Sequence, residues 1–190
     1  MPLITNNSFL GSNDNVQYAP NRCPKWIVIH YTGCRGMARE VARAMIRGKV
    51  STHYICDEFE ILHAVSEDSF TAWHCSTIHR KTYSAAKNHN SIGVDLCTKK
   101  GDWRSRCVAD CDWYFEHETM ENAARVVADC MERFAIPLSQ VVRHWDVTRK
   151  ECPRPFVGDD INTHSGKTGI EAWAEFLEMV KEKQCEKMDM

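Results

Sequence analysis

Two kinds of hydrophobic pattern divide the chain into predicted strands and helices. Near-continuous apolar runs cover residues 25–32, 91–97 and 141–144, and such runs are typical of strands buried on both faces. Two shorter runs, 51–56 and 60–65, are joined by a tight polar turn. Their spacing predicts a β-hairpin. The pattern therefore predicts five strands.

Apolar residues at helical spacing predict three helices. The first lies between Gly36 and Gly48, with Gly48 as its C-cap, and the second covers residues 118–135. The third begins at 168–171, where Thr and Glu stand three residues apart as a capping box. Its inward-facing positions are predicted to be Ile170, Trp173, Leu177 and Val180.

The order of these elements is strand, helix, hairpin, strand, helix, strand, helix. It predicts a single α/β domain with a mixed central β-sheet flanked by helices. Residues 1–22 are polar and rich in Asn, and they predict an irregular N-terminal arm on the surface. We also predict a frayed tail at residues 185–190, so the domain is predicted to cover residues 23–184. Residues 66–90 form a long loop without periodicity, and such loops are usually functional.

Composition narrows the class of protein. The 190 residues are enough for about one domain, and 43% of them are hydrophobic. The net charge of -2 gives no electrostatic basis for binding nucleic acid. No window reaches transmembrane length, so we expect no membrane insertion. The N-terminus lacks the basic start and apolar run of a signal peptide, which predicts a soluble protein made in the cytoplasm.

Ten cysteines would suggest a disulfide framework in a short secreted chain. Here Cys56 and Cys97 fall in predicted strands and Cys130 in a predicted helix, where Cys behaves as a small hydrophobic residue. We therefore expect mostly free thiols. Cys107 and Cys111 are close enough in sequence to form a disulfide, and the sequence leaves that open.

Side chains that can bind metal or take part in catalysis are concentrated in residues 143–153, which contain His144, Lys150 and Cys152. His and Cys are ligands that zinc prefers, and a catalytic zinc takes three protein ligands and leaves one position open. His30 ends a predicted strand, so it could join His144 and Cys152 at one edge of the sheet. Asp146 is an alternative third ligand. A ligand two residues from His144 would strain the chelate, however, which favours Cys152.

Five motifs give the chain a resemblance to a known family. They are Ile29–Gly33, Ser51–Tyr54, Ala72–His74, Asn90–Asp95 and Arg143–Pro153. Their types and order resemble those of type 2 N-acetylmuramoyl-L-alanine amidases. This zinc amidase family is shared by phage endolysins, bacterial autolysins and peptidoglycan recognition proteins. The resemblance runs from about residue 23 to residue 182.

The resemblance implies roles for particular residues. It implies one Zn²⁺ per chain held by His30, His144 and Cys152, and it places Lys150 at the position of a catalytic lysine. The positively charged Lys150 could stabilise the oxyanion of the tetrahedral intermediate. Two residues remain candidates for the catalytic base. Tyr54 matches a tyrosine that lines the site in the cysteine branch, and Asp95 matches a glutamate that is the base in the carboxylate branch.

Four further residues are candidates for supporting roles. Asp146 is predicted to hold a ligand or its loop by hydrogen bonds. Trp73 and His74 either line a groove for the sugar or stem peptide or pack the loop. Asn90 either binds substrate or caps the turn before the strand at 91–97.

These observations predict zinc-dependent hydrolysis of the amide bond between N-acetylmuramic acid and L-alanine in peptidoglycan. We expect a phage endolysin that is monomeric, is made in the host cytoplasm and acts on the cell wall after release. One alternative is a non-catalytic peptidoglycan-binding module. Another is an amidase for soluble muropeptides in wall recycling. Cys152 and Lys150 favour the enzyme, because binding modules of this fold typically lack the third ligand.

Overall fold

The computed structural model describes residues 15–75, 82–102, 104 and 112–186, together with the backbone of the segments 3–6 and 187–188. Within these residues there are ten strands: β1 (Leu3–Asn6), β2 (Val16–Tyr18), β3 (Trp26–Tyr31), β4 (Tyr54–Cys56), β5 (Glu60–His63), β6 (Phe70–Ala72), β7 (Ser91–Leu96), β8 (Lys99–Lys100), β9 (Trp113–Tyr114) and β10 (Val141–Arg143). The same residues form four α-helices: α1 (Ala38–Gly48), α2 (His117–Phe134), α3 (His144–Thr148) and α4 (Gly169–Met188).

Six of the described strands form the central sheet, in the spatial order β1, β5, β4, β7, β3, β10. Neighbouring strands are parallel except for β4 and β5, which form an antiparallel hairpin. The predicted hairpin and the predicted mixed central sheet are therefore confirmed. The remaining strands form two small pairs, β2 with β6 and β8 with β9.

Side chains that alternate along β3 divide the core into two layers. Ile27 and Ile29 face the larger layer, which α2 and α4 cover. Val28 faces the opposite layer, where it packs with Val147 of α3. Helix α1 covers Ile55 on that second face. The next polar residue on β3, His30, therefore faces the layer that contains α1 and α3.

The prediction of an irregular arm over residues 1–22 is wrong for two segments. Strand β1 pairs in parallel with β5 at the edge of the sheet, and β2 pairs antiparallel with β6 inside the predicted loop at 66–90. Backbone hydrogen bonding to an open sheet edge requires no apolar pattern, because the N–H and C=O groups make the contact. Hydrophobic periodicity alone could not reveal these strands.

Arg22 ties the N-terminal segment to the long loop. Its buried guanidinium donates hydrogen bonds to the backbone carbonyls of Glu67 at 2.8 Å, Asn88 at 3.1 Å and Ser91 at 2.7 Å, and to that of Phe70. Burial lowers the pKa of Arg22 to about 10, although Glu67 and Asp68 oppose that shift, so the side chain stays charged near neutrality. The loop that leads to the candidate site is thereby fixed at both ends.

Helices α2 and α4 match their predicted positions, with small differences at their ends. The capping box at Thr168 is present, since its hydroxyl accepts a hydrogen bond from the backbone N–H of Glu171 at 3.2 Å. Ile170 was predicted to face inward, but it lies in the first turn and is 56% exposed. The predicted fraying at Cys185 is also wrong, because α4 continues to Met188.

The C-cap of α1 differs from the predicted one. Gly48 is the last residue of α1 rather than its cap, and Lys49 takes the left-handed C-cap conformation with φ 54°.

The cysteines in the described residues are all free: Cys23, Cys34, Cys56, Cys75, Cys97, Cys130, Cys152 and Cys185. Cys107 and Cys111, whose pairing the sequence leaves open, lie outside the described residues. Among the described helices, none has the length and apolar character needed to cross a membrane.

Candidate metal centre and active site

Three neighbouring parallel strands bring the candidate residues to one edge of the sheet. Strands β3 and β7 pair so that His30 lies beside Asp95. On the other side of β3, Arg143 of β10 pairs with Ile29, so the next residue, His144, emerges near His30. The prediction that His144 ends a strand is wrong, because it is the first residue of α3.

Helix α3 is short, and hydrogen bonds at its ends fix its orientation. Asp146 accepts hydrogen bonds from the Arg143 backbone N–H at 2.8 Å and from the Arg143 guanidinium at 3.0 and 2.8 Å. The same guanidinium donates to the Phe156 carbonyl at 2.8 Å. The Trp145 N–H donates to the Cys152 carbonyl at 2.7 Å, which holds the returning chain against the helix. Asp146 thus orients the segment that carries His144.

His30, His144 and Cys152 form a compact donor cluster. One donor atom from each residue lies within 4.8 Å of the others, and all three residues are buried. The Cys152 Sγ is 3.6 Å from His30 Nδ1, and the two imidazole centroids are 4.7 Å apart. Two nitrogen donors and one sulfur donor fit a zinc site with an open fourth position. Asp146, the alternative third ligand, is not part of the cluster.

Burial sets the protonation states of this cluster. It lowers the pKa of His30 well below its usual value, with further lowering from the nearby His144, His74 and Lys150. His30 is therefore a neutral imidazole with one free lone pair. Burial raises the pKa of the Cys152 thiol to about 12, and the positive charge of Lys150 only partly offsets that shift. The thiol keeps its proton near neutral pH unless a metal cation replaces it.

Asp95 and Lys150 lie beside the cluster, at a cleft of about 330 Å³. Asp95 is only 6% exposed. Its burial raises the pKa of the carboxyl to about 7, against opposing effects of the Thr52 hydroxyl and Lys150. A carboxyl group with a pKa near neutrality can both accept and release a proton during a reaction. Lys150 is exposed on the cleft side of the loop between α3 and Cys152.

The cleft has two chemically different sides. Its polar side chains include His30, His74, Asp95, Lys150 and Cys152. Its apolar side chains are Val41, Ala44, Met45, Val50 and Trp73. Trp73 is 39% exposed, so a large flat surface is available to a ligand in the cleft. The arrangement suits a substrate that has an apolar or ring-shaped part next to a polar bond.

Tyr54 does not belong to this site, which corrects its assignment as a candidate base. It pairs with Val94, one residue before Asp95, and therefore faces the opposite layer of the core. Its hydroxyl donates to Glu67 at 2.8 Å and accepts a hydrogen bond from Arg133 at 3.0 Å. Burial, with neighbouring Cys130 and Glu67, raises the pKa of Tyr54 well above its usual value. Tyr54 stabilises a buried polar cluster instead.

The remaining candidates divide between the cleft and the loop. Trp73 lies in the cleft, and His74 lies behind His30, with its Nδ1 3.0 Å from His30 Nε2. Asn90 does not line the cleft. Its side-chain oxygen accepts a hydrogen bond from the Lys87 N–H at 2.7 Å, and its amide donates to the Ala85 carbonyl at 3.1 Å. Asn90 therefore caps the turn before β7, the second of the two roles considered for it.

Two residues of the site were not predicted from the sequence. The hydroxyl of Thr52 affects the pKa of Asp95, and the hydroxyl of Ser91 lies 3.2 Å from His74 Nε2. Both residues fall inside the motifs that carry the family resemblance. A serine or threonine carries no signal of its own role, however, because its role depends on which side chain the sheet register places opposite it.

The sequence and the fold both match those of known proteins. The sequence profile of N-acetylmuramoyl-L-alanine amidases matches residues 20–155, which include every member of the donor cluster. The chain belongs to the N-acetylmuramoyl-L-alanine amidase family. A curated amidase, N-acetylmuramoyl-L-alanine amidase CwlL of Bacillus licheniformis, is 34% identical over 146 residues. That match covers 71% of this chain and 37% of CwlL, so the chain spans little more than a third of this relative.

Solved structures share the amidase fold. The catalytic domain of PlyG superposes with a TM-score of 0.68 at 22% identity, over 96% of this chain and 95% of that domain. A mutant endolysin from Bacillus subtilis superposes with a TM-score of 0.65 at 23% identity, over 95% and 99% of the two chains. These matches support the α/β architecture, including the mixed central sheet.

Proposed function

We propose that this protein is a zinc-dependent N-acetylmuramoyl-L-alanine amidase. It hydrolyses the amide bond between N-acetylmuramic acid and L-alanine in peptidoglycan. The observation that carries the proposal is the buried cluster of His30, His144 and Cys152. Two of its members, His30 and Cys152, line an open cleft together with Asp95 and Lys150. Family membership supports the substrate class, and the donor set supports the metal.

Each residue of the site has a task in this reaction. A zinc ion held by His30, His144 and Cys152 would activate water and polarise the scissile carbonyl. Asp95 accepts a proton from the attacking water and later delivers it to the departing amine of L-alanine. The ammonium of Lys150 stabilises the negative charge that develops on the carbonyl oxygen. Trp73 and the apolar wall orient the muramyl peptide.

We further propose that the protein acts as a phage endolysin. In this role it is synthesised in the host cytoplasm and reaches the cell wall after release. The endolysin fold shared over nearly the whole chain supports this proposal, as does the similarity to a curated Bacillus amidase. The presence of Cys152 and Lys150 favours an enzyme over a non-catalytic binding module.

Purified bacterial walls provide the test of the proposed function. We expect the protein to contain about one zinc per chain and to release new L-alanine amino groups from the walls. Removal of the metal with a chelator should abolish that release, and added zinc should restore it, because the donor cluster alone cannot activate water. Muropeptide binding without new amino groups would indicate a recognition module. Cleavage of soluble fragments only would indicate a recycling amidase.

Replacing Lys150 with Met should slow the reaction without removing the metal. Because an electrostatic donor to the oxyanion contributes to the transition state, we expect kcat to fall about 10²- to 10³-fold. Zinc content should not change, since Lys150 is not in the donor cluster. The matched control is Lys181→Met, on the exposed side of α4. Equal activity of the two variants would exclude Lys150 from catalysis.

A further inference from the structure

A chain of hydrogen bonds extends from His30 away from the donor cluster. His30 Nε2 lies 3.0 Å from His74 Nδ1, and His74 Nε2 lies 3.2 Å from the Ser91 hydroxyl. The Ser91 hydroxyl in turn donates to the Lys87 carbonyl at 2.6 Å. The other ring nitrogen of His30, Nδ1, is the one that faces Cys152. The chain therefore connects a fixed backbone carbonyl to a candidate metal ligand.

The Lys87 carbonyl, where this series of hydrogen bonds ends, determines the direction of every hydrogen bond in the series. A carbonyl oxygen can only accept, so the single proton of the Ser91 hydroxyl points to Lys87. Ser91 must then accept a hydrogen bond from His74, which places the His74 proton on Nε2. The Nδ1 atom of a neutral His74 is consequently an acceptor, and it receives the Nε2–H of His30. The His30 Nδ1 is left with a free lone pair directed at the cluster.

Gly93 supplies independent evidence that the fold makes room for His74. A Cβ atom at this position of β7 would lie 2.7 Å from His74 Cγ and 2.9 Å from His74 Nδ1. Real side chains essentially never make contacts that short, so any larger residue would displace the ring. The sheet thus places a glycine where His74 must approach His30.

We propose that His74 and Ser91 are positioning residues that fix the tautomer and orientation of His30 as a metal ligand. His74 acts through His30 and does not need to touch the substrate, which differs from both roles considered from the sequence, lining a groove and packing the loop. The inference rests on the proposed function only in taking zinc as the metal. Hydrogen-bonded partners of metal-binding histidines typically contribute 10- to 100-fold in metal affinity.

The tautomer of His30 can be measured in the metal-free wild-type protein. Long-range ¹H–¹⁵N correlation spectra of the imidazole rings should show His30 protonated at Nε2 and unprotonated at Nδ1. They should show His74 with its proton on Nε2 as well. A proton on His30 Nδ1 would overturn the inference. This measurement requires neither zinc nor catalysis, so it decides the inference even if the proposed amidase activity is absent.

Zinc affinity, measured by competition with a chromophoric chelator, tests the same inference through variants. His74→Leu removes the acceptor, and we expect zinc to bind 10- to 100-fold more weakly. His74→Asn places a carbonyl oxygen near the position of Nδ1, and we expect it to recover most of that loss. Gly93→Ala should weaken zinc binding by displacing the ring. The matched control is His89→Leu, which replaces an exposed histidine in the turn before β7. This variant should bind zinc normally.

Two outcomes of the affinity measurements would contradict the positioning role. In the first, a folded His74→Leu variant binds zinc as tightly as the wild type. In the second, that variant loses amidase activity while its zinc affinity is unchanged, which would return His74 to a role in substrate binding. A wild-type protein that binds no zinc would instead count against the proposed function.

Discussion

Replacing Asp95 with Asn is expected to lower kcat by about 10²- to 10⁴-fold, the usual contribution of a general acid–base group. The amide has nearly the same size as the carboxyl group but cannot accept a proton from water. Asp95 lies outside the donor cluster, so zinc content should remain at the wild-type level. Hydrolysis of purified walls and metal analysis of the same samples check both expectations.

The matched control for this substitution is Asp160→Asn, at an exposed position away from the cleft. It should retain wild-type activity. An Asp95→Asn variant that hydrolyses walls within a few-fold of the wild-type rate would exclude Asp95 as the base. Tyr54 would not become the alternative, because its hydroxyl faces the opposite layer of the core.

The raised pKa of Asp95 also predicts a pH effect on the stability of the metal-free protein. Burial raises the pKa from 3.8 to about 7 in the folded state. Between these values the folded protein keeps a proton that the unfolded chain has lost. The free energy of unfolding therefore falls as pH rises from about 4 to 7, by at most about 1.4 kcal/mol per pH unit. Denaturant titrations of Asp95→Asn should show a correspondingly smaller decrease over this range.

The fold could be predicted where hydrophobic patterns carry it. The buried strands at 91–97 and 141–144 are near-continuous apolar runs, the hairpin is two short runs joined by a polar turn, and the long helix α2 has a helical period. Strands β1 and β2 have none, because their backbone atoms make the pairing. The extension of α4 beyond Cys185 depends instead on charge, since Lys183 pairs with Glu186 at 2.9 Å and with Glu121 of α2 at 3.5 Å.

The site depends on sheet register, which the sequence does not give. The motifs identified His30, Asp95 and Tyr54 but not the strand faces to which they point. In the structure Asp95 pairs with Ile55 and His30, whereas Tyr54 pairs with Val94. A shift of one residue exchanges the two faces of a strand. Asp95 and Tyr54 therefore point to opposite faces of the sheet, and only the assembled sheet reveals this difference.

Replacing Cys152 with Ala is expected to have the largest effect on the metal. It removes one of three ligands, so zinc affinity should fall by more than the 10- to 100-fold that loss of a supporting hydrogen bond costs. Amidase activity should fall with it. Cys152 is 2% exposed and the Ala variant leaves a small cavity, so folding should be verified by circular dichroism. Cys130→Ala, a buried thiol on α2, is the control and should retain both zinc and activity.

A second substitution separates the loss of a ligand from the loss of packing. Cys152→Asp supplies a carboxylate, which also binds zinc, and it should recover metal binding that Cys152→Ala lacks. Substitution of Co²⁺ for zinc gives a direct signature, because a Co²⁺–thiolate bond absorbs in the near ultraviolet. That band should be present in the wild type and in Cys130→Ala and absent from both Cys152 variants. A Cys152→Ala protein that keeps the band would place the thiolate ligand elsewhere, and full zinc occupancy in that variant would contradict the three-ligand site.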